Sequence, residues 1–288
     1  MTAEAPRNPV VTTALAHVTH LATLPHVTAR ILQLVEDPDV NAGELERLVL
    51  ADAVLAARVL KVVNSAFYGR PASVNSIRQA IVMIGFPGLR VIALAASLTK
   101  LFRVTNAYTR FNPRGPWLHS AAAATAARLI AERLGGDREE LFLAGLLHDV
   151  GTVVALQALR NGYIDLLSVR EASPDDDYLD LERRMLKTTH QELGLGLCDK
   201  WNFSATMRAA VGFHHDPTEL EGDARRVAAV VHVADRLAAE AEIGFCCTAN
   251  RDNVFADVVD ELGLTGKVLD DVRRQLPEAA TDAAELCD

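Results

Sequence analysis

Apolar residues recur at spacings of three and four along most of this chain, and that period leaves little room for anything but helices. In ARILQLVED, Ile31, Leu32, Leu34 and Val35 share one face, and the same pattern fills 44–50, 54–63, 77–84 and 89–98. Alanine and leucine dominate these runs, and both favour helix. No stretch alternates apolar and polar residues over a strand length, and no Asn-Gly or Asp-Gly pair joins two apolar runs as a hairpin would. Short apolar runs such as 227–233 sit inside longer alanine-rich helical patterns. The expectation is an all-α protein of many helices.

Turn-forming clusters set the breaks: Asp37-Pro38-Asp39, Tyr68-Gly69-Arg70-Pro71, Gly85-Phe86-Pro87-Gly88, Gly135-Gly136 and Ser173-Pro174. Ser73-Val74-Asn75-Ser76 reads as a helix start. Asp137, with Glu140 three residues on, reads as the N-cap of the helix carrying 141–147. The window 106–116 holds Asn106, Asn112, Pro113, Gly115 and Pro116 without periodicity, and is the expected linker. This divides the chain into an N-terminal helical subdomain (1–105), a second helical subdomain (117–250), and C-terminal helices with a tail (251–288). The acidic run 175–177 reads as a solvated loop.

Charge and cysteine usage limit the partners. Thirty-eight acidic residues against 29 basic ones give a net charge of −9, which argues against capture of a nucleic-acid backbone. Cys198, Cys246, Cys247 and Cys287 show no CxxC spacing, as expected of reduced thiols in a reducing compartment. The longest stretch without Lys, Arg, Asp or Glu, 8–29, is interrupted by His17, His20, Pro25 and His26, which is wrong for a membrane span. The first residues lack a basic cluster followed by an apolar core, so no cleaved secretory signal is expected. The reading is a soluble, cytoplasmic protein without membrane partners.

Six of the nine histidines fall between 119 and 232: His119, His148 beside Asp149, His190, the pair His214-His215, and His232 three residues before Asp235. Imidazole and carboxylate together suit divalent transition metals such as Mn, Fe, Ni or Zn. Neighbours on a continuous helix point about 100° apart, so His148 and Asp149 can share a site only if a helix ends there or the carboxylate bridges two ions. Pro217 disfavours helix at the residue before it, close behind His214-His215. His232 and Asp235 share a helix face; His232 reads as a supporting or core residue. Asn64 and Ser65 read as caps of backbone groups at a helix end, Phe67 and Tyr68 as packing at the junction, and Trp117 and Trp201 as core.

These residues resemble a known pattern. His119, His148, Asp149 and Asp235 match the H…HD…D signature of the HD superfamily of metal-dependent phosphohydrolases. His190, in HQELG, and His214-His215 match further metal ligands of the related HD-GYP cyclic di-GMP phosphodiesterases. The N-terminal half narrows the match: LPHVTARILQLVEDPDV, then VLAARVLKVVNSAFYGRPASVNSIRQAIVMIG, resembles the HDOD (HD-related output domain) family, over roughly 18–240. The resemblance implies an HD-like helical bundle preceded by an N-terminal helical subdomain. It implies a divalent-metal site of His119, His148, Asp149, His190, His214, His215 and Asp235, with Asp149 as bridge and, in an active enzyme, as catalytic residue.

Three positions depart from the enzymes. Thr152 stands where the HD-GYP pattern has a phosphate-binding Lys, Asp216-Pro217 replaces Gly-Tyr-Pro, and Gly115 replaces the Glu associated with a third metal. Arg208 and Lys187 are the nearest cations in sequence. HDOD proteins are generally regarded as regulatory, so the leading expectation is a signalling module that binds a protein partner and turns over little or nothing. The alternatives are a metal-dependent phosphohydrolase acting on a nucleotide or cyclic dinucleotide, and a nucleotide sensor.

Overall fold

The computed structural model describes residues 8–18, 24–65, 68, 74–102, 112, 114–245, 247–248 and 254–284, with backbone only at 99–102 and 254. His20, Phe67, Gly69–Pro71, Ser73, Cys246, Cys287 and residues 106–111, 113 and 285–288 lie outside that set. Among the described residues there are helices and no strands. In chain order they are α1 (Pro9–His17), α2 (His26–Val35), α3 (Ala42–Leu50), α4 (Ala53–Val63), α5 (Ile77–Phe102) and α6 (Gly115–Leu134). Next come α7 (Arg138–Leu147), α8 (Val150–Ala158), α9 (Arg160–Ala172), α10 (Tyr178–Leu186), α11 (His190–Lys200) and α12 (Ala205–Phe213). A 3-10 turn (Pro217–Glu219) leads to α13 (Gly222–Glu240), α14 (Val254–Glu261) and α15 (Gly266–Ala284).

Side-chain caps start several of these helices where the chain turns. Asn41, Asp52, Asp137, Asp177, Thr189 and Ser204 each accept a backbone N–H of the first turn, a contact worth about 1 kcal/mol per helix. Asp137 accepts from Glu139 and Glu140, while the Glu140 carboxylate accepts from Thr206 instead of reaching back to close a capping box. Gly85, at φ 69°, breaks α5 into two helical halves, so Pro87 falls in the first turn of the second half, where a missing N–H costs least. Gly115 and Pro116, read from the sequence as linker, are instead the first residues of α6, and Pro116 is tolerated there for the same reason. Asn64 and Ser65 do cap: Ser65 donates to Val62 O, and the Asn64 amide donates to Leu60 O and Val74 O and accepts from Val74 N.

Helix α6 is the axis of the C-terminal bundle, packed by α7, α13 and α15. Its run Ala121–Ala124 is fully buried. A Cβ added at Gly145 of α7 would lie 2.7 Å from Ala124 Cα, so these two backbones touch. The α8–α11 crossing is tighter still: a Cβ at Gly151 would lie 1.8 Å from His190 O. Helices α2–α5 form the N-terminal layer, with Leu34, Leu45, Val49, Val59 and Ile81 in its core. Helix α1 leaves that layer and packs on α11 and α8. Asn8 donates to Lys187 O and Glu192 Oε2, and Lys200 Nζ donates to Leu15 O. Residues 77–98 and 138–158 are apolar and long enough to cross a membrane, yet the second is 89% buried and both pack as core helices of the fold.

Candidate metal centre

Helix ends bring the sequence neighbours to one point. Helix α7 stops at Leu147 and α8 starts at Val150; between them Asp149 leaves helical geometry at φ −97°, ψ 15°. That break lets both His148 and Asp149 turn inward. Helix α12 likewise stops at Phe213, just before His214 and His215. His119 comes from the second turn of α6, His190 from the first residue of α11 and Asp235 from the middle of α13. All seven side chains are buried, none more than 4% exposed.

The donors fall into two groups joined by one carboxylate. His119, His148 and Asp235 form the first, with His119 Nε2 2.8 Å and His148 Nε2 3.7 Å from Asp235 Oδ1. His190, His214 and His215 form the second, with His190 Nε2 3.3 Å from His214 Nε2 and 3.1 Å from His215 Nε2. Asp149 faces both: Oδ2 lies 3.6 Å from His148 Nε2, while Oδ1 lies 3.3 Å from His190 Nε2 and 3.6 Å from His214 Nε2.

Hydrogen bonds on the far sides of the rings decide what the near sides offer. Carbonyl oxygens only accept, so His148 Nδ1 donates to Gly145 O at 2.7 Å and His214 Nδ1 to Ala210 O and Val211 O. His190 Nδ1 donates to Glu182 Oε2 at 2.7 Å. The Nε2 atoms of His148, His190 and His214 then face into the cluster, where His190 can ligate once its Nε2 proton is displaced. His148 Nε2 and Asp149 Oδ1 make no hydrogen bond. At 3.3 Å, His190 Nε2 and His214 Nε2 are bridged either by a proton on His190 or, once that proton is lost, by a cation. A buried donor set of this kind fits divalent transition metals.

The charges within the cluster are strongly coupled. Burial raises the pKa of Asp149, but His148, His214 and His190 outweigh it and hold the group well below the usual carboxylate range. Asp235 follows the same pattern through His119 and His148. Burial lowers His190, yet Glu182 and then Asp149 push it up to about 9. Burial takes His214 down to about 4, with Asp149 opposing and His148 and His190 assisting. His215 falls well below its ordinary value through burial and its histidine neighbours.

A model of the HDOD domain matches residues 21–217. The chain belongs to the HDOD family. An HDOD domain protein of unknown function from Geobacter sulfurreducens is 25% identical over 96% of this chain and 98% of its own, with a TM-score of 0.78. A candidate phosphohydrolase from Shewanella amazonensis SB2B shares the fold at 22% identity, a TM-score of 0.73, and the same shares of the two chains. An uncharacterized protein of Treponema pallidum (strain Nichols) is 25% identical over 67% of this chain, which spans only 38% of that relative's length.

Within this HDOD fold the other sequence candidates fall away from the cluster. Arg208 pairs with Asp199 on the outside of α12, and Lys187 donates to Arg184 O at the exposed end of α10. Arg208 is engaged across to Asp199 of α11 and Lys187 on its own helix end, and neither of these contacts is with the cluster. Thr152 is buried in α8, its hydroxyl without a hydrogen bond. His232 supports the site at one remove, donating from Nδ1 to His214 O at 2.8 Å. Two contributors escaped the sequence reading. Glu182, fully buried, was legible in hindsight: it sits four residues from both Tyr178 and Leu186 on the apolar face of α10. Thr248, which donates to Asp149 Oδ2 at 2.8 Å, lies in irregular chain with no pattern to mark it.

Proposed function

We propose that this chain is a cytoplasmic regulatory module that holds a pair of divalent metal ions (Mn, Fe, Ni or Zn) in its HD-like bundle and acts on a signalling protein partner with little or no turnover. The observation that carries this reading is the placement of Asp149, one oxygen toward His148 and the other toward His190 and His214. His119, His148 and Asp235 would hold one ion, His190, His214 and His215 the other, with Asp149 between them. Such a pair supplies Lewis acidity and an activated water for attack on a phosphoester. Three features support restrained chemistry here. The donors are buried, the ion pairs of both carboxylates among the described residues are with histidines, and uncharged Thr152 stands where the enzymes carry a phosphate-binding Lys.

The bridging position of Asp149 also favours a second reading, a metal-dependent phosphohydrolase acting on a nucleotide or cyclic dinucleotide. Metal analysis of the purified protein, followed by hydrolysis assays with added Mn or Fe, separates the two. The regulatory reading expects bound metal, its loss in Asp149→Ala, and no product. Turnover of a cyclic dinucleotide that vanishes in a folded Asp149→Ala variant would put the phosphohydrolase in its place. A chain that takes up no metal under either condition would remove both.

A further inference from the structure

The second donor group, made of three imidazoles, has no negative charge beyond its share of Asp149. Directly behind it lies Glu182, fully buried on α10. Its Oε2 accepts both the backbone N–H of His190 at 3.0 Å and the ring Nδ1–H at 2.7 Å. Its Oε1 has no hydrogen bond. The double contact fixes the first residue of α11 and the rotation of its ring together, and it commits the proton to Nδ1 so that Nε2 faces His214, His215 and Asp149. A carboxylate buried this completely is costly unless positive charge lies close by. The protonated His190 ring answers that demand without metal and a cation bound at Nε2 answers it in the loaded site, where a carboxylate behind the ring raises the basicity of the ligating nitrogen.

We infer that Glu182 is the positioning residue of the second metal subsite, holding His190 in its ligating tautomer and supplying the negative charge that lets an all-imidazole group retain a divalent ion. This rests on the two-ion reading above and adds a division of labour to it. Asp235 supplies charge to the first subsite from within the donor set, whereas Glu182 supplies charge to the second through a ring.

The test is stepwise Zn(II) or Co(II) titration of metal-stripped wild type, Glu182→Gln and His119→Ala. Wild type should bind two ions. Glu182→Gln should keep one affinity unchanged and lose about 10- to 100-fold in the other. His119→Ala should weaken the affinity that Glu182→Gln spares. Unchanged binding in Glu182→Gln, or equal weakening at both sites, overturns the inference and leaves the two-ion reading intact. A wild type that binds fewer than two ions overturns the two-ion reading itself. Nitrogen-15 spectra of zinc-loaded wild type decide the matter if the variant does not fold: His190 should be protonated at Nδ1 and metallated at Nε2, and the reverse assignment overturns the inference.

Discussion

Gly151→Ala isolates the contact on which the site geometry depends. The added Cβ would sit 1.8 Å from His190 O, which is 1.6 Å inside the 3.4 Å at which ordinary contact begins, and 2.7 Å from Gly194 N. Both opposing atoms are backbone, so no side chain can rotate away, and α8 must separate from α11. Overpacking of this kind costs about 1–3 kcal/mol, here at the upper end. Alanine returns at most about 1 kcal/mol of helix propensity. The net expectation is about 2 kcal/mol of destabilisation and a fall in melting temperature of about 3 °C. Because Asp149 opens α8 and His190 opens α11, the same separation stretches the 3.3 Å contact between them, so metal retention should fall as well. Thermal and urea unfolding, with metal analysis of the folded fraction, measure both effects. A variant as stable as wild type or more so, as propensity alone would give, refutes the reasoning.

Asn64→Ala should cost about 2 kcal/mol in urea unfolding, because both backbone groups of Val74 lose their partner; Asn64→Asp, which lacks the amide donor, should recover only part of that. Burial, with Asp199 beside it, pushes the Cys198 thiol up to about 12. Its thiolate fraction at pH 8 is then on the order of a thousand times below that of a free cysteine, and iodoacetamide should label it only after unfolding; rapid native labelling contradicts this. Metal-stripped protein should melt at a lower temperature at pH 9 than at pH 6.5. His190 has a folded pKa raised to about 9, so its contribution is present below the ordinary value of 6.5 and is lost as pH rises toward 9. A flat or rising melting temperature over that interval would count against the Glu182–His190 contact.

The sequence disclosed this fold through periodicity and punctuation, which are local properties. The break at Gly135-Gly136 and the cap at Asp137 appear where residue chemistry demands them. The gathering of His119, His148, Asp149, His190, His214, His215 and Asp235 was legible through family spacing, and the physical means is a pair of helix ends that let adjacent residues face the same way. What stayed hidden is tertiary. Nothing local marks Thr248 for Asp149, and nothing in 9–17 says that the partner of α1 is α11. Glu182 stands between these cases, since a carboxylate on an apolar face announces a buried contact but not its recipient.

The seat of α1 has a consequence for biosynthesis. Asn8 and its acceptor Lys187 O are 179 positions apart, an interval that a ribosome covers in roughly 9–36 s at 5–20 residues per second. Throughout that time Val11, Ala14 and Leu15 have been translated and α11, one wall of their seat, has not. Helix α1 can therefore take its seat only after α11 has been made, so its docking closes the second bundle instead of starting it.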